Sequence, residues 1–307
     1  MEVYIPISKM PTTRRRFLKA GIYGAAGLAL YSGEIARHWI EVTHHDMPLA
    51  GLPAAFDGMR VVQLSDIHMD EYTEPFFLER VVERTNQLNP DAVFLTGDYV
   101  SHVPMSKKFA RGAAWHCANI LKTLSCRNLY AILGNHDVSV GAEVVTEALT
   151  SNGITVLRNA CLPIERAGSR FWLAGTDDPV LGNPDLELAV PRRIRNIPNE
   201  PIVLMVHAPD YANMLLDDPA GRAMHMMLSG HTHGGQVRLP VIGALYLPGW
   251  GQRYVEGWFH LGGWWNHLSL YVNRGIGTVG VPFRLNCPPE ITAFTLRTAP
   301  IAASTRR

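Results

Sequence analysis

Carboxylate, amide and imidazole side chains recur just beyond short apolar segments of this chain. Asp66 and His68 follow the first of these segments, Asp98 follows the second, and Asn135 and His136 follow the third. Oxygen and imidazole ligands without a thiolate favour borderline divalent ions such as manganese, iron or zinc. The pattern therefore predicts a metal site.

Two later segments end in the same way. His207 follows one of them, and the run G-H-T-H-G-G-Q, with His231 and His233, follows the other. Each fragment alone is weak evidence, because a single histidine is more often a hydrogen-bonded core residue than a ligand. Recurrence after five separate segments favours a metal site. In the D-x-H and H-x-H fragments we expect continued strand geometry to aim both side chains at a common ion.

The number of candidate ligands indicates two ions. Seven are available, too many for one tetrahedral ion: Asp66, His68, Asp98, Asn135, His207, His231 and His233. Two ions about 3.5–4 Å apart can hold a hydroxide and clamp an in-line displacement at phosphorus. They also acidify bound water, so that no separate protein base is required. The expected chemistry is hydrolysis of a phosphate ester.

Alternating strand and helix patterns would position these residues. Apolar segments at 59–65, 92–96 and 129–133 alternate with helical patterns at 75–88, 107–124 and 142–152. This order predicts parallel strands with helical crossovers, whose carboxyl ends lie where open sheets bind ligands. A second sheet with hairpins is predicted from shorter segments at 155–157, 171–175, 202–206, 226–229, 237–239, 268–272 and 291–296.

The ligand blocks also resemble a known family. D-x-H at 66–68, G-D at 97–98, G-N-H-D at 134–137, His207 and G-H-x-H at 230–233 resemble the five-block signature of calcineurin-like metallophosphoesterases. The match runs over about 61–236. The later fragments N-R-G-I-G-T, P-F-R-L and P-P-E-I resemble the exported bacterial phosphoesterases of the YkuE and YaeI type. The resemblance implies an α/β fold, a four-layer α/β/β/α sandwich of two mixed sheets flanked by helices.

The resemblance also implies roles for single residues. It assigns two ligand sets that share Asp98: Asp66, His68, Asp98 and His233 for one ion, and Asp98, Asn135, His207 and His231 for the other. His136 would contact the phosphate and protonate the leaving oxygen as the general acid. Asp137 either orients the His136 ring or serves as a turn or cap residue.

The function expected from this resemblance is a phosphodiesterase with two divalent ions, with manganese favoured over iron and zinc. A metal-bound hydroxide would attack phosphorus while His136 protonates the leaving group. The substrate would be a phosphodiester or a lipid-linked phosphate. One alternative is a pyrophosphatase acting on a lipid-linked nucleotide of the UDP-diacylglucosamine type, or a phosphomonoesterase. The other is a non-catalytic, metal-loaded scaffold.

The N-terminus predicts export. T-R-R-R-F-L-K at 13–19, followed by an apolar run at 20–31, resembles a twin-arginine signal. We therefore expect the twin-arginine translocase as a partner and a periplasmic or cell-envelope location, with anchoring to the inner membrane as the alternative to cleavage. A basic tail on an amphipathic helix that caps the domain is the competing interpretation. The expected organisation is a signal or anchor at 1–40, a linker and entry strand at 41–58, the metallophosphoesterase domain at 59–298 and a tail at 299–307.

Composition restricts the function classes. The 307 residues are 47% hydrophobic and 18% charged, a mixture typical of a folded protein rather than a disordered one. A formal net charge of +1 gives no sign of a specific nucleic-acid partner.

Three further features each keep two interpretations. Export would permit a disulfide between Cys117 and Cys126, which the sequence does not establish. Arg274 suits either a phosphate oxygen or an ion pair. The aromatic-rich stretch at 248–271 favours a hairpin packed by cross-strand aromatic pairs, with a substrate wall or lipid-interface face as the alternative.

Overall fold

The computed structural model describes residues 14–69, 72–101, 107–262 and 268–299. Its α-helices are α1 Arg14–Leu30, α2 Pro75–Gln87, α3 Lys107–Leu121, α4 Asn135–Ser151, α5 Leu186–Ala189 and α6 Ala212–Asp217. Its strands are β1 Glu41–Ala50, β2 Arg60–Leu64, β3 Ala92–Leu95, β4 Leu129–Ala131, β5 Thr155–Val156, β6 Ala160–Arg166, β7 Ser169–Gly175, β8 Ile202–Met205, β9 Met226–Ser229, β10 Arg238–Leu239, β11 Gly243–Ala244, β12 Gly257–Leu261, β13 Leu268–Val272 and β14 Glu290–Ala299.

The first sheet has six strands in the order β1-β14-β2-β3-β4-β5. Strands β2 to β5 are parallel, and α2, α3 and α4 are the crossovers between them, as the alternating pattern predicts. Strand β14 lies between β1 and β2, and it runs parallel to β1 and antiparallel to β2. The sheet is therefore mixed, and β1 is its edge strand.

The second sheet also has six strands, in the order β12-β13-β9-β8-β7-β6. Antiparallel pairs β6–β7 and β12–β13 close its two sides, while β7, β8, β9 and β13 are parallel. The predicted hairpins are present. Three segments assigned to this sheet from the sequence lie elsewhere: 155–157 and 291–296 form β5 and β14 of the first sheet, and 237–239 forms β10 of a separate two-stranded sheet with β11. Short strands carry no sequence mark of which sheet they join, because pairing is decided by distant partners.

Alternating side chains build the layers. In β2, Val61 contributes to the core between the sheets, and its neighbour Val62 contributes to the core under the helices. In β8, Val203 faces the other sheet while Leu204 packs on the outer side, against residues near α5 and α6. Strands that are buried on both faces read as continuous apolar runs. The four-layer α/β/β/α architecture implied by the family resemblance is confirmed.

Helix α4 consists of two segments that meet at Gly141. The predicted start at 142 matches the second segment, and a first segment that the sequence pattern missed begins at Asn135. Gly141, with φ of 139° and ψ of 99°, breaks the helical geometry and therefore the apolar periodicity on which the prediction depended. The consequence is functional: Asn135, His136 and Asp137 form the first turn of a helix rather than a loop.

Candidate metal centre

The predicted ligands follow the carboxyl ends of β2, β3, β4, β8 and β9, and Asn135 among them lies in the first turn of α4. The loop after β2 is tied to the loop after β3, since Asp66 N donates to the Gly97 oxygen at 2.9 Å and His68 N to the Asp98 oxygen at 3.0 Å. Across the sheets, His231 N donates to both carboxylate oxygens of Asp66 at 2.9 and 3.0 Å. These bonds bring residues distant in sequence to one centre.

The expectation of continued strand geometry is wrong. Asp66 and His68 have φ of 52° and 49°, and His231 and His233 have φ of 71° and 52°. Asp98 is also left-handed, at 56°. The strands end before these residues, and left-handed turns aim the side chains at the centre. Non-glycine residues seldom adopt this conformation, and such residues cluster at functional sites.

One group of ligands contains Asp66, His68 and His233, whose ligand atoms lie within 4.8 Å of one another. The Nε2 atoms of His68 and His233 are 3.0 Å apart, and His233 Nε2 is 3.5 Å from Asp66 Oδ1. Asp66 and His68 have no exposed surface, and His233 is buried. This group corresponds to the first predicted ligand set without its shared carboxylate.

A second group contains Asp98, His207 and His231, again with ligand atoms within 4.8 Å. His207 Nε2 lies 3.1 Å from Asp98 Oδ2, and His68 Nε2 lies 3.7 Å from the same oxygen. Asp98 therefore stands between the two groups, at the position where the family resemblance expects a shared ligand.

Hydrogen bonds at the far nitrogen orient three of the imidazoles. His207 Nδ1 donates to the Thr96 carbonyl at 2.7 Å, and His231 Nε2 donates to the Gly249 carbonyl at 2.8 Å. His68 Nδ1 is 2.9 Å from the Ser101 hydroxyl. In each ring the other nitrogen remains for the centre. This arrangement is typical of histidines that ligate metals.

Asn135 and His136 enter from the N-terminus of α4. The Asn135 Oδ1 atom is buried, and no described residue supplies it with a hydrogen bond. His136 N donates to Asp98 Oδ1 at 2.9 Å, and its ring stands perpendicular to that of His68 with centroids 4.9 Å apart. His136 also falls within ligand distance of His68 and Asp98. The structure therefore brings all eight predicted site residues together.

Asp137 acts as a cap. Its carboxylate accepts hydrogen bonds from Asp98 N, Tyr99 N and Gly134 N at 2.8, 2.9 and 2.9 Å. Both oxygens serve the backbone, so the cap is the interpretation that the structure supports. The carboxylate fixes the start of α4 against the loop that carries Asp98.

Electrostatics in the centre favour a cation. Burial lowers the pKa of His68 to about 3 and that of His231 to about 4, and it lowers the pKa of His233 well below its usual range. Burial would also lower the pKa of His207, but the Asp98 and Asp66 carboxylates outweigh it and raise that pKa. The three imidazoles with lowered pKa values, the buried carboxylates and the orphaned Asn135 oxygen form a donor set that fits divalent metal ions.

Two glycines leave the space that the ligands occupy. A Cβ atom at Gly134 would lie 2.2 Å from Asp98 Oδ1, and one at Gly230 would lie 1.9 Å from Ser65 Oγ and 2.2 Å from Asp66 Oδ2. Neither glycine has a positive φ. Close approach of the ligands, rather than backbone conformation, therefore requires glycine at both positions.

Sequence reasoning missed Asp178. It follows β7 in the run G-T-D-D, is fully buried and has an Oδ1 atom without a hydrogen-bond partner among the described residues. Its charge acts on His207 and helps to raise the pKa of that imidazole. The strand-end rule that located the other residues applies to this run and could have found it.

Sequence reasoning also gave no role to Arg284, which is fully buried. Its guanidinium donates to the backbone oxygens of Arg274, Gly275, Gly277 and Cys287 at 2.6–3.1 Å. Its Nη2 lies 3.4 Å from His233 Nδ1. Among the described residues, no carboxylate forms an ion pair with it. The P-F-R-L fragment contains this arginine, but no sequence signal distinguishes a buried guanidinium from an exposed one.

The structure supports the ion-pair interpretation of Arg274 and the hairpin interpretation of the aromatic-rich stretch. Arg274 forms ion pairs with Glu290 at 3.0 Å and Glu41 at 2.7 Å. Trp258 pairs across the β12–β13 hairpin with Tyr271, and their rings meet edge to face at 5.1 Å. All four cysteines are free, so Cys117 and Cys126 form no disulfide. Trp264 and Trp265 lie outside the described residues.

A cavity of about 930 Å³ lies over the centre. Asp98, Asn135, His136, His231 and His233 line its floor. Its walls are mostly apolar and come from three parts of the chain: Ala25, Leu28 and Ala29 of α1, the segment 235–248 and the segment 279–285. A polar, metal-type floor under apolar walls suits a ligand with a charged end and an apolar body.

Helix α1 contains no buried residue, and it carries most of the predicted twin-arginine motif. Thr13, the first residue of that motif, lies outside the described residues. None of the helices in the described ranges combines the length and the apolar character that crossing a membrane requires.

Comparisons with known proteins place the chain among calcineurin-like phosphoesterases. The family model for calcineurin-like phosphoesterase matches residues 59–235. The uncharacterized metallophosphoesterase YkuE of Bacillus subtilis is 35% identical over 298 residues, which cover 93% of this chain and 98% of YkuE. Phosphodiesterase YaeI of Escherichia coli is 32% identical over 297 residues, which cover 92% and 99% of the two chains. Among solved structures, the NAD nucleotidase NadN of Haemophilus influenzae has a TM-score of 0.48 and 14% identity, over 71% of this chain and 45% of its own.

Proposed function

Because the chain belongs to the calcineurin-like phosphoesterase family, we propose that it hydrolyses phosphodiesters at a centre of two divalent metal ions. The observation that carries the proposal is the pairing of two ligand groups on either side of Asp98. The family membership makes the chain a hydrolase of phosphoric esters, and the named activity of the relative YaeI favours a diester.

The residues that would hold the ions are those of the two groups. Asp66, His68 and His233 would hold one, His207, His231 and Asn135 the other, with Asp98 shared. When bound, two such ions supply Lewis-acid charge for the phosphate oxygens and acidify a water for attack on phosphorus. Manganese is the favoured ion, with iron and zinc as the alternatives.

The chain itself contributes binding and proton transfer. The first turn of α4 brings Asn135 and His136 to the floor of the cavity, beside Asp98. His136, on the first turn and lining the cavity, protonates the leaving oxygen. Asp137 keeps this turn and Asp98 in register through its three backbone hydrogen bonds.

The test is metal-dependent turnover of bis-p-nitrophenyl phosphate by protein that has been stripped and reloaded with manganese. Asn135→Ala is expected to abolish turnover, because it removes the buried oxygen that has no protein partner. The matched control is Asn183→Ala, at an exposed asparagine away from the cavity, which should behave as wild type. Two bound ions without turnover in manganese, iron or zinc would favour the scaffold interpretation instead.

The cavity favours a second candidate, a pyrophosphatase acting on a lipid-linked nucleotide. Its walls are apolar for most of their surface, which a small soluble diester does not require. A comparison of UDP-diacylglucosamine with its deacylated analogue separates the candidates. Preference for the acylated compound, expressed mainly in KM, would support the lipid-linked substrate, and equal rates on both would reject it.

We also propose export by the twin-arginine translocase to the periplasm or cell envelope, with membrane association through the N-terminal segment. The proposal depends on R-R-x-F-L-K at 14–19 and the exposed apolar residues of α1. The double variant Arg14→Lys with Arg15→Lys should remain in the cytoplasm, and cell fractionation measures this. Normal export of that variant would reject the twin-arginine route.

A further inference from the structure

The turn between β10 and β11 is apolar and exposed. Pro240, Val241 and Ile242 form its tip, where Val241 is fully exposed and Ile242 is 71% exposed. Val241 also has φ of 70°, a conformation that β-branched residues rarely adopt. A hairpin turn facing water favours Asn, Asp or Gly at such positions. The choice of valine and isoleucine therefore indicates that the tip meets something other than water.

A second apolar element lies beside this turn. The side chains of Phe17, Ile22 and Leu30 on α1 are 73%, 67% and 64% exposed. Leu28 of α1 and Tyr246, just after β11, line the same cavity, so the two elements border one opening. We call the β10–β11 turn and α1 together the cavity rim. Single exposed apolar residues are ordinary, whereas exposed apolar residues on two elements that border one opening favour an interaction surface.

The charge at the start of α1 indicates the partner. Arg14, Arg15, Arg16 and Lys19 lie within the first two turns, and the first acidic residue after them is Glu34. Basic residues next to exposed apolar side chains are the combination by which proteins bind at the interface of an anionic bilayer.

We propose that the cavity rim docks on an anionic lipid bilayer and that the β10–β11 tip inserts Val241 and Ile242 among the lipids. The cavity mouth then faces the headgroups. The inference concerns where the protein binds, and it stands or falls separately from the reaction at the metal centre. It assigns membrane contact to a hairpin far from the N-terminus in sequence.

The test is flotation of the full chain with vesicles of phosphatidylcholine and phosphatidylglycerol. Val241→Gln with Ile242→Gln should weaken binding by about tenfold or more, because two large apolar side chains would no longer leave water. The control is Leu188→Gln with Met214→Gln, which replaces two exposed apolar residues, 61% and 54% exposed, on α5 and α6. The control should bind as wild type does. Vesicles of phosphatidylcholine alone should bind less of every variant.

Three results would overturn the inference. Wild-type protein that does not float with anionic vesicles would exclude docking, and equal loss in the tip and control variants would exclude a specific role for the tip. A tip variant that changes only from dimer to monomer in solution would assign the surface to a second copy. Turnover of bis-p-nitrophenyl phosphate in solution should be the same for the tip variant and wild type, since neither Val241 nor Ile242 lines the cavity.

Discussion

Replacing Gly230 by alanine should damage the centre without unfolding the protein. The added Cβ atom would lie 1.9 Å from Ser65 Oγ and 2.2 Å from Asp66 Oδ2. To reach an ordinary van der Waals contact, Ser65 Oγ would have to retreat by about 1.5 Å and Asp66 Oδ2 by about 1.2 Å. The backbone at Gly230 has no positive φ, so alanine meets no conformational barrier there. The perturbation therefore acts on the position of Asp66.

The expected magnitude follows from that displacement. Overpacking of this kind costs about 1–3 kcal/mol of stability, which a domain of this size tolerates. A misplacement of roughly 1 Å in a reacting group can cost about 100-fold in rate. We therefore expect kcat/KM to fall by about 100-fold or more and the metal content to fall as well, because Asp66 is a proposed ligand.

The assay compares turnover, metal content by elemental analysis and thermal unfolding in Gly230→Ala and Gly112→Ala. A Cβ atom at Gly112, inside α3, meets nothing within 4 Å. That control should gain about 0.5–1 kcal/mol of stability from its helix and keep full activity. Wild-type turnover and two bound ions in Gly230→Ala would refute the reasoning, since they would mean that Asp66 tolerates the displacement.

Three further predictions concern other residues. His136→Gln should lower kcat by about 100-fold or more with unchanged metal content, because the acid is lost while the proposed ligands remain; loss of metal would instead make His136 a ligand. Glu290→Gln should destabilise the fold by about 3 kcal/mol in urea unfolding, because it leaves Arg274 without its buried partner. Burial would raise the pKa of Glu290, but Arg274 and the hydrogen-bond donors around Glu290 lower that pKa below 4.5 in the folded protein. The wild type should therefore lose this stability as the pH falls through the pKa of Glu290 in the folded state, and the variant should not. Thiol titration of the folded protein should find about one slowly reacting cysteine, the half-buried Cys161. After unfolding without reductant, all four cysteines should react, and fewer than four would reveal a disulfide.

The sequence was informative where chemistry and local pattern coincide. Asp66, Asp98 and His207 each follow an apolar strand, and parallel strands end at one edge, so the meeting of these residues could be predicted. The way in which the side chains are aimed could not. The left-handed turns at His68 and His231 are held by backbone N–H bonds to Asp98 and Asp66, which lie in loops distant in sequence.

Other features depend wholly on tertiary structure. Arg284 is buried because the chain at 274–277 wraps around it, and a fragment such as P-F-R-L carries no trace of that burial. The cavity is formed by α1 and two loops that no local pattern brings together. The first turn of α4 could not be predicted, because the non-helical residue Gly141 interrupts the apolar periodicity of the helix.

The position of β14 has a consequence for the order in which the protein can fold during synthesis. This strand is inserted between β1 and β2, yet the ribosome makes it after every other described strand. Until it emerges, β1 has no neighbour in the sheet and β2 keeps one open edge. The first sheet is therefore completed after translation of nearly the whole chain, and a nascent protein exposes unpaired strand edges until then.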